Sequence, residues 1–202
     1  MDGTGHAALP LRDRKKAMTR EAILTAAGRL FEERGFDGVT VAEIADAANV
    51  SVKTLFVYFR SKEVLAFADT SLIETVLAAL QRRAPATARA EAVVEALIEA
   101  ADRDGGSGVE GFHRTVGNSP ALRSGLLRLW SGYEDRIAEA LAREAGGPTP
   151  ATRLEAMQLV ALIRLTTSPE LRSTVADLAP ERAREVIAAE LREAARRIGS
   201  AR

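Results

Sequence analysis

The stretch from Thr40 to Glu63, TVAEIADAANVSVKTLFVYFRSKE, decides the fold. Thr40 and Glu43 have the spacing of a capping box, in which the threonine hydroxyl accepts the third backbone N–H of a helix and the glutamate reaches back. Apolar residues then recur at helical spacing and predict a buried face, namely Val41, Ile44, Ala45 and Ala48. The pattern therefore predicts a short amphipathic helix capped by Thr40.

A second short helix is predicted after a tight turn. Asn49 suits that turn because asparagine tolerates positive φ better than most residues. Ser51 can cap the next helix, whose buried face would be Leu55 and Phe59. A longer helix before both has the apolar stripe Ile23, Leu24, Ala27, Leu30 and Phe31. This order is typical of a helix-turn-helix, whose second short helix enters the major groove of DNA.

The outward face of that second helix carries groups that suit DNA. If Leu55 and Phe59 face the core, helical spacing places Lys53 and Val57 on the opposite side and Phe56 on the flank. Lys53 can donate to guanine O6 and N7 or to a phosphate, and Phe56 can contact a thymine methyl group. Lys62 lies in the first turn of the following helix, where a cation needs a nearby anion, and we expect that anion to be a DNA phosphate.

Positive charge is concentrated near the start of the chain. Lys+Arg and Asp+Glu each total 28, so the formal net charge is zero. Between Arg12 and Arg20, however, there are five cations and the single anion Asp13. A short basic arm is attracted to a phosphate backbone. We therefore expect residues 1–18 to form a flexible basic arm that brings Arg14, Lys15 and Lys16 to DNA.

The composition excludes several other classes of protein. The chain has 202 residues, of which 47% are hydrophobic and 28% charged, an ordinary globular balance. It has no cysteine, which excludes a disulfide scaffold, a thiolate zinc site and a cysteine nucleophile. No apolar stretch is long enough to span a bilayer, and the N-terminus lacks the apolar core of a signal peptide. We expect a soluble, cytoplasmic protein with no metal and no cofactor.

The remainder of the chain is also predicted to be helical. No segment alternates with a β-branched and aromatic bias, and glycine or proline separates the periodic stretches. Helices are predicted from 61 to about 83, 88–103, 120–145, 151–167 and 180–198. The sequence therefore predicts an all-α protein of about nine helices, with a three-helix helix-turn-helix domain at 19–62 and a helical domain at 63–202.

Residues 40–63, together with ILTAAGRLFEERGF at 23–36, resemble the DNA-binding region of TetR-family transcriptional regulators. Order, spacing and residue class agree over most of this region. The resemblance implies a two-domain, all-α protein with an N-terminal DNA-binding domain and a C-terminal ligand-binding and dimerisation domain. Many members have glycine where this chain has Lys53, so the operator preference of those members does not transfer to it.

The same resemblance implies which residues contact DNA. It assigns base or groove contacts to Val52, Lys53 and Phe56, and contacts to the DNA backbone to residues around them. The complete set is Thr40, Ser51, Val52, Lys53, Thr54, Phe56, Tyr58 and Lys62. Alternatives stay open for three of these residues: Thr40 can be only a cap, Phe56 can pack on the first helix, and Tyr58 can lie at a domain interface.

Aromatic residues of the C-terminal part are candidates for an effector pocket. Trp130 and Tyr133 share one helix face, and core packing is the alternative explanation for them. Pockets between helices are mostly apolar with a few polar anchors. The candidate walls and anchors are Phe67, Phe112, Trp130, Tyr133, Met157, His113, Arg114 and Gln158. Residues 119–134 are also similar to a subgroup of actinobacterial-type TetR regulators, some with acyl-CoA-like ligands, so we expect a bulky, partly apolar effector.

The leading hypothesis is a homodimeric repressor that binds a near-palindromic, double-stranded operator. The resemblance implies pairing through the helices at 151–167 and 180–198, as a four-helix bundle. The effector would tilt the helix that begins at Ser61 and favour the DNA-free state. Alternatives are a transcriptional activator, or a helical-bundle protein that binds a small molecule or metal without DNA. We expect no enzyme, because Glu110 and His113 match only one half of the paired Glu-x-x-His metal motif.

Overall fold

The computed structural model describes residues 10–68, 70–103 and 119–200. Within these ranges the chain forms ten α-helices and no β-strand, which confirms the all-α prediction. The chain divides into two compact units, Met1–Ala68 and Asp69–Arg202. Among the described residues, no helix combines the length and the apolar composition that crossing a bilayer requires.

Over residues 10–68, the first unit contains four helices around a small apolar core. They are α1 (Leu11–Arg34), α2 (Val41–Ala47), α3 (Val52–Tyr58) and α4 (Lys62–Ala66). Helix α1 packs against α2 and α4, and α2 packs against α3. Each helix buries at least one apolar side chain, and the largest of these are Ile23, Phe31, Ile44, Leu55 and Leu65. The three short helices α2, α3 and α4 are thus held by burial in this shared core, since helices of this length are not stable by themselves.

The described part of the second unit is a bundle of six helices. They are α5 (Ser71–Arg82), α6 (Arg89–Arg103), α7 (Pro120–Ala145), α8 (Pro150–Leu165), α9 (Pro169–Val175) and α10 (Pro180–Ser200). Helix α6 packs against α5, α8 and α10, and α7 packs against α5 and α8. One apolar cluster joins five of these helices and includes Ile73, Val94, Trp130, Ile137, Ile163 and Leu191.

The prediction of a flexible arm over residues 1–18 is wrong for its second half. Helix α1 begins at Leu11, and the amides of Asp13 and Arg14 donate to the Pro10 carbonyl at 2.9 and 3.0 Å. The stretch after Pro10 is rich in strong helix formers, leucine, arginine, lysine, alanine and methionine, which continue α1 backwards. Residues 1–9 lie outside the described residues.

The single helix predicted from Ser61 to Arg83 is also wrong, because the structure has two helices there. Helix α4 ends at Ala66, and α5 begins at Ser71 after its N-cap Thr70. Hydroxyl side chains such as Thr70 and Ser71 compete for backbone hydrogen bonds and favour helix starts over helix interiors.

The boundary between the compact units falls after Ala68, and the sequence placed it after Lys62. Helix α4 belongs to the first unit because Leu65 is buried there and the helix packs on α1. The Arg20 guanidinium also donates to the Ala68 carbonyl at 3.4 Å.

Helix α9 lies between the predicted helices at 151–167 and 180–198, where the sequence analysis predicts no helix. In the structure the Ser168 hydroxyl accepts the amide of Leu171 at 3.1 Å, and Pro169 occupies the first helical turn. Serine followed by proline can start a helix as well as end one. The N–H groups of the first helical turn have no partner within the helix, so proline, which has no N–H, is tolerated there.

Candidate nucleic-acid interface

Helix α2 begins with the predicted capping box. The Thr40 hydroxyl accepts the amide of Glu43 at 3.2 Å and donates to its carboxylate at 2.6 Å. The Thr40 amide donates to the same carboxylate at 2.8 Å, and the Arg34 guanidinium donates to its other oxygen, also at 2.8 Å. Thr40 is therefore a cap, and it is exposed at the surface where a phosphate contact is predicted.

These bonds set the ionisation of Glu43. The Thr40 hydroxyl, the Arg34 side chain and the Thr40 amide lower the pKa of Glu43 from 4.5 to about 2. Each of these groups is bonded to the charged form of the carboxylate, which is the form that such bonds favour. A depressed pKa stabilises the folded state above the ordinary pKa, and this contribution is lost as the pH falls from about 4.5 towards 2.

We predict that Glu43→Gln removes part of the acid sensitivity of the first unit. The variant should unfold at a lower temperature than the wild type at pH 7, and the difference should shrink between pH 5 and pH 3. Calorimetric unfolding of the full chain over this pH range measures the effect. Glu21→Gln, on the exposed face of α1, is the matched control. A difference that stays constant with pH would contradict the role given to the carboxylate.

The turn between α2 and α3 has the geometry of a Schellman motif. Asn49 has φ 53°, the one positive-φ residue other than glycine among the described residues. The amide of Val50 donates to the Ala45 carbonyl, and that of Asn49 to the Asp46 carbonyl, both at 2.9 Å. These two bonds satisfy the last carbonyls of α2 and reverse the chain sharply. The turn thereby sets the direction in which α3 leaves α2.

Helix α3 is held by one cap and two buried side chains. The Ser51 hydroxyl accepts the amide of Thr54 at 3.0 Å. Leu55 is completely buried, and Phe59, which ends the helix, is 3% exposed. The Arg20 guanidinium lies 5.4 Å from the centre of the Phe59 ring, a cation–π arrangement. The predicted inner face of α3 is therefore present as expected.

The outer face of α3 is an exposed apolar patch with one charge. Val52 is 40% exposed, Phe56 is 47% exposed and Val57 is 74% exposed. Lys53 is exposed as well, and within the described part of the first unit it has no ion-pair partner. Phe56 is thus not packed into the core. Exposed apolar groups that cluster on one helix indicate a binding surface.

The remaining predicted contacts on α3 differ in their exposure. Ser51 is exposed, Thr54 and Tyr58 are partly buried, and the hydroxyls of Ser51 and Thr54 lie 2.8 Å apart. Arg14, Lys15 and Lys16 are exposed on the first turns of α1, where they form a cationic surface on a helix and not on an extended arm.

Lys62 has a different partner from the one the sequence predicted. Its ammonium donates to the carbonyls of Phe36 and Val39 at 2.9 and 2.8 Å and lies 4.0 Å from the centre of the Phe36 ring. Two backbone carbonyls of the α1–α2 connection thus take the place of the anion that we expected beside Lys62 in the first turn of α4. Lys62 is a structural cation of this unit and has partners without a phosphate, while its contact with DNA stays a prediction.

We predict that Lys62→Met destabilises the protein by about 1–3 kcal/mol, the cost of leaving hydrogen-bonding groups unpaired when their partner is removed. Methionine keeps most of the length of the side chain, so the change removes mainly the ammonium. Urea unfolding of the full chain measures the loss. An unchanged stability together with weaker DNA binding would instead support the phosphate contact.

The candidate effector residues do not form one cavity in the described structure. Trp130 and Tyr133 are both 5% exposed and lie edge to face, with ring centres 5.6 Å apart, inside the core of the second unit. Phe67 belongs to the first unit and Gln158 to the second, and both are partly buried. Phe112, His113, Arg114 and Glu110 lie outside the described residues.

Met157 faces solvent, so its assignment to a buried pocket wall is wrong. It is 48% exposed, because the inward side of α8 is already filled by Ala156, Leu159, Val160 and Ile163. The exposed apolar residues Leu154, Met157 and Ala161 form a second stripe, which we call the outer stripe of α8. Among the described residues there is no group of three or more ligand side chains that could hold a metal ion.

Val57 is the most exposed large hydrophobic residue of α3. Its spacing of four residues from Lys53 correctly predicts that the two share the outward face, but the predicted set of DNA contacts does not include it.

Comparisons with known proteins agree with this geometry. The family model described as bacterial regulatory proteins of the tetR family matches residues 23–68. The chain is 34% identical over 145 residues to the HTH-type transcriptional regulator TcmR of Streptomyces glaucescens, a match that covers 67% of this chain and 64% of TcmR. It is 27% identical over 148 residues to the HTH-type transcriptional activator FasR of Mycolicibacterium smegmatis, covering 71% of this chain and 68% of FasR.

The fold is also that of a solved regulator. The transcriptional regulator FadR of Bacillus subtilis, in complex with stearoyl-CoA, superimposes with a TM-score of 0.58 at 17% identity, over 87% of this chain and 95% of FadR. Three observations lead to the same assignment: the helix-turn-helix at α2 and α3, the family match over residues 23–68 and the similarity to TcmR. Residues 23–68 belong to the tetR family of bacterial regulatory proteins, and the chain as a whole is similar to regulators of that family.

Proposed function

We propose that the protein is a homodimeric, ligand-responsive DNA-binding regulator that represses transcription from a near-palindromic operator. The observation that carries the proposal is the outer face of α3, where Lys53 stands exposed among Val52, Phe56 and Val57. A firmly capped helix that buries one face and exposes a cation with apolar groups on the other suits the major groove.

The residues of the proposed DNA interface have two different roles. Side chains of α3 meet base edges and give sequence preference, while Thr40 at the start of α2 and the cations of α1 meet phosphates. Two copies of α3, about 34–36 Å apart, would then contact successive major-groove faces of one operator.

The outer stripe of α8 supports the proposed dimer. Leu154, Met157 and Ala161 are exposed, and beside them α8 and α10 enclose an open groove of about 390 Å³. The groove is lined by five apolar residues, Ala161, Leu162, Leu165, Ala194 and Ile198, and by three charged ones, Glu190, Glu193 and Arg197. Pairing two copies through α8 and α10 would bury these side chains in a four-helix bundle.

The effector is proposed to be bulky and partly apolar, held in the second unit near Trp130 and Tyr133. FadR of Bacillus subtilis was solved in complex with stearoyl-CoA, which has a long apolar chain and a polar head. We propose an effector of this chemical type. The effector must bind the DNA-free state more tightly, with a coupling of about 1–3 kcal/mol, to release the operator. A function on DNA also implies that the protein works in the cytoplasm.

A titration of the full chain against DNA from upstream of its own gene tests the proposal. We expect saturable binding that resists an excess of random DNA and weakens steeply with salt, because each phosphate neutralised adds about 0.9 to the logarithmic salt slope. Equal affinity for random DNA would contradict a sequence-specific regulator.

Activation of transcription is the second candidate function, favoured by the similarity to FasR, which is named an activator. A reporter gene behind the bound promoter distinguishes the two, since removal of the protein should raise expression under a repressor and lower it under an activator.

A further inference from the structure

Helix α3 offers few kinds of side-chain group that could contact DNA bases. Its seven residues, VKTLFVY, include no amide and no carboxylate side chain. Adenine is usually recognised in the major groove by asparagine or glutamine, and the amino group of cytosine by a carboxylate. Helix α3 therefore lacks the side chains that bind these two bases directly.

The hydroxyls of α3 are partly engaged within the helix. Ser51 and Thr54 lie 2.8 Å apart through their hydroxyl oxygens, and the Ser51 hydroxyl also accepts the Thr54 amide at 3.0 Å. Tyr58 is partly buried at the far end of the helix. The groups left for base edges are the Lys53 ammonium and the apolar side chains of Val52, Phe56 and Val57.

Val57 is the apolar group that this surface presents most fully. At 74% exposure it is more exposed than any other large hydrophobic side chain in the described structure. It follows Lys53 by four residues, so the two side chains are neighbours on one face. A valine on a helix has essentially one χ1 rotamer, so it loses little freedom on contact. The one apolar group on a base edge in the major groove is the C5 methyl of thymine.

We infer that Val57 is a specificity-determining residue that contacts a thymine methyl group, in a half-site that also offers a guanine to Lys53. Four residues advance a helix by about 6 Å, and one base pair by about 3.4 Å. The thymine therefore lies about one or two base pairs from the guanine. This inference rests on the proposed function, since it names the bases that the same surface prefers.

The test begins with duplexes that the full-length protein selects from a pool of randomised double-stranded DNA. Each thymine of the selected duplex is then replaced by deoxyuridine, which removes only the methyl group. We expect one position in each half-site to weaken wild-type binding about fourfold, the factor for exposing one buried methyl group, and about fifteenfold when both are replaced. For Val57→Ala, the same replacement should weaken binding less than twofold.

Val64→Ala is the matched control, because Val64 is 50% exposed on α4 of the same unit, outside α3. It should keep the full dependence on the thymine methyl, and both variants should unfold at the wild-type temperature. Equal deoxyuridine losses in the wild type and Val57→Ala, or no sensitive thymine at all, would overturn the inference while leaving sequence-specific binding intact. A pool in which no sequence is enriched would overturn the proposed function, and this inference with it.

Discussion

Lys53→Glu should lower the affinity for the operator by about 100-fold or more at 0.1 M salt. A good contact between a cation and a guanine is worth about 1–3 kcal/mol, and a symmetric dimer loses two of them. The introduced carboxylate also faces the phosphates of the groove, which adds repulsion. Lys53 is exposed, so the thermal unfolding of the variant should match that of the wild type. Fluorescence anisotropy with a labelled operator duplex measures the affinity.

Arg128→Glu is the charge-matched control for this variant. Arg128 is exposed on α7, outside the two helices proposed to pair the copies, and it lies in the second unit. Its operator affinity should stay close to that of the wild type. A similar loss in both variants would show that only net charge matters and would contradict a contact by Lys53.

Lys53→Ala separates the two bonds that this lysine can make. If Lys53 binds guanine, the variant should lose affinity for the operator more than for random DNA and keep its salt slope. If Lys53 binds a phosphate, affinity should fall about equally on both DNAs, and the salt slope should drop by about one per lysine removed. We expect the first result, because Lys53 lies in the first turn of α3 beside exposed apolar groups.

Leu55→Ala should destabilise the first unit by about 3 kcal/mol, within the range of 2–5 kcal/mol seen for such truncations in protein cores. Leu55 is completely buried and is the one buried residue within α3 itself. Its loss should free α3 from the unit and abolish operator binding even where most helical signal remains. Urea unfolding followed by circular dichroism, with a parallel binding titration, measures both effects.

Leu11→Ala is the control for this truncation, since Leu11 lies in the same unit and is 66% exposed. Its removal should change stability by less than about 0.5 kcal/mol, as expected for a surface site. If Leu55→Ala bound the operator normally, the buried face of α3 would not be what holds the interface in place.

Local signals in the sequence predicted the helix-turn-helix well. The capping box at Thr40, the turn at Asn49 and the cap at Ser51 act over three or four residues, so they are visible without knowledge of the fold. The buried positions Leu55 and Phe59 followed from helical periodicity alone.

Contacts between distant residues could not be predicted in this way. Lys62 binds carbonyls 23 and 26 residues away, and only the folded chain brings them together. The exposure of Met157 depends on which side of α8 the rest of the bundle covers, and both sides of that helix are apolar in the sequence. The DNA contacts of Arg14, Lys15 and Lys16 stay a prediction.

The aromatic pair in the second unit gives the protein a built-in optical reporter. Trp130 is the chain's single tryptophan, so all of its indole emission comes from the core that surrounds Tyr133. A molecule that enters near this indole would quench or shift that emission. Unfolding of the DNA-binding helices alone would leave the emission nearly unchanged. Candidate effectors can therefore be screened on the unlabelled, wild-type protein by fluorescence.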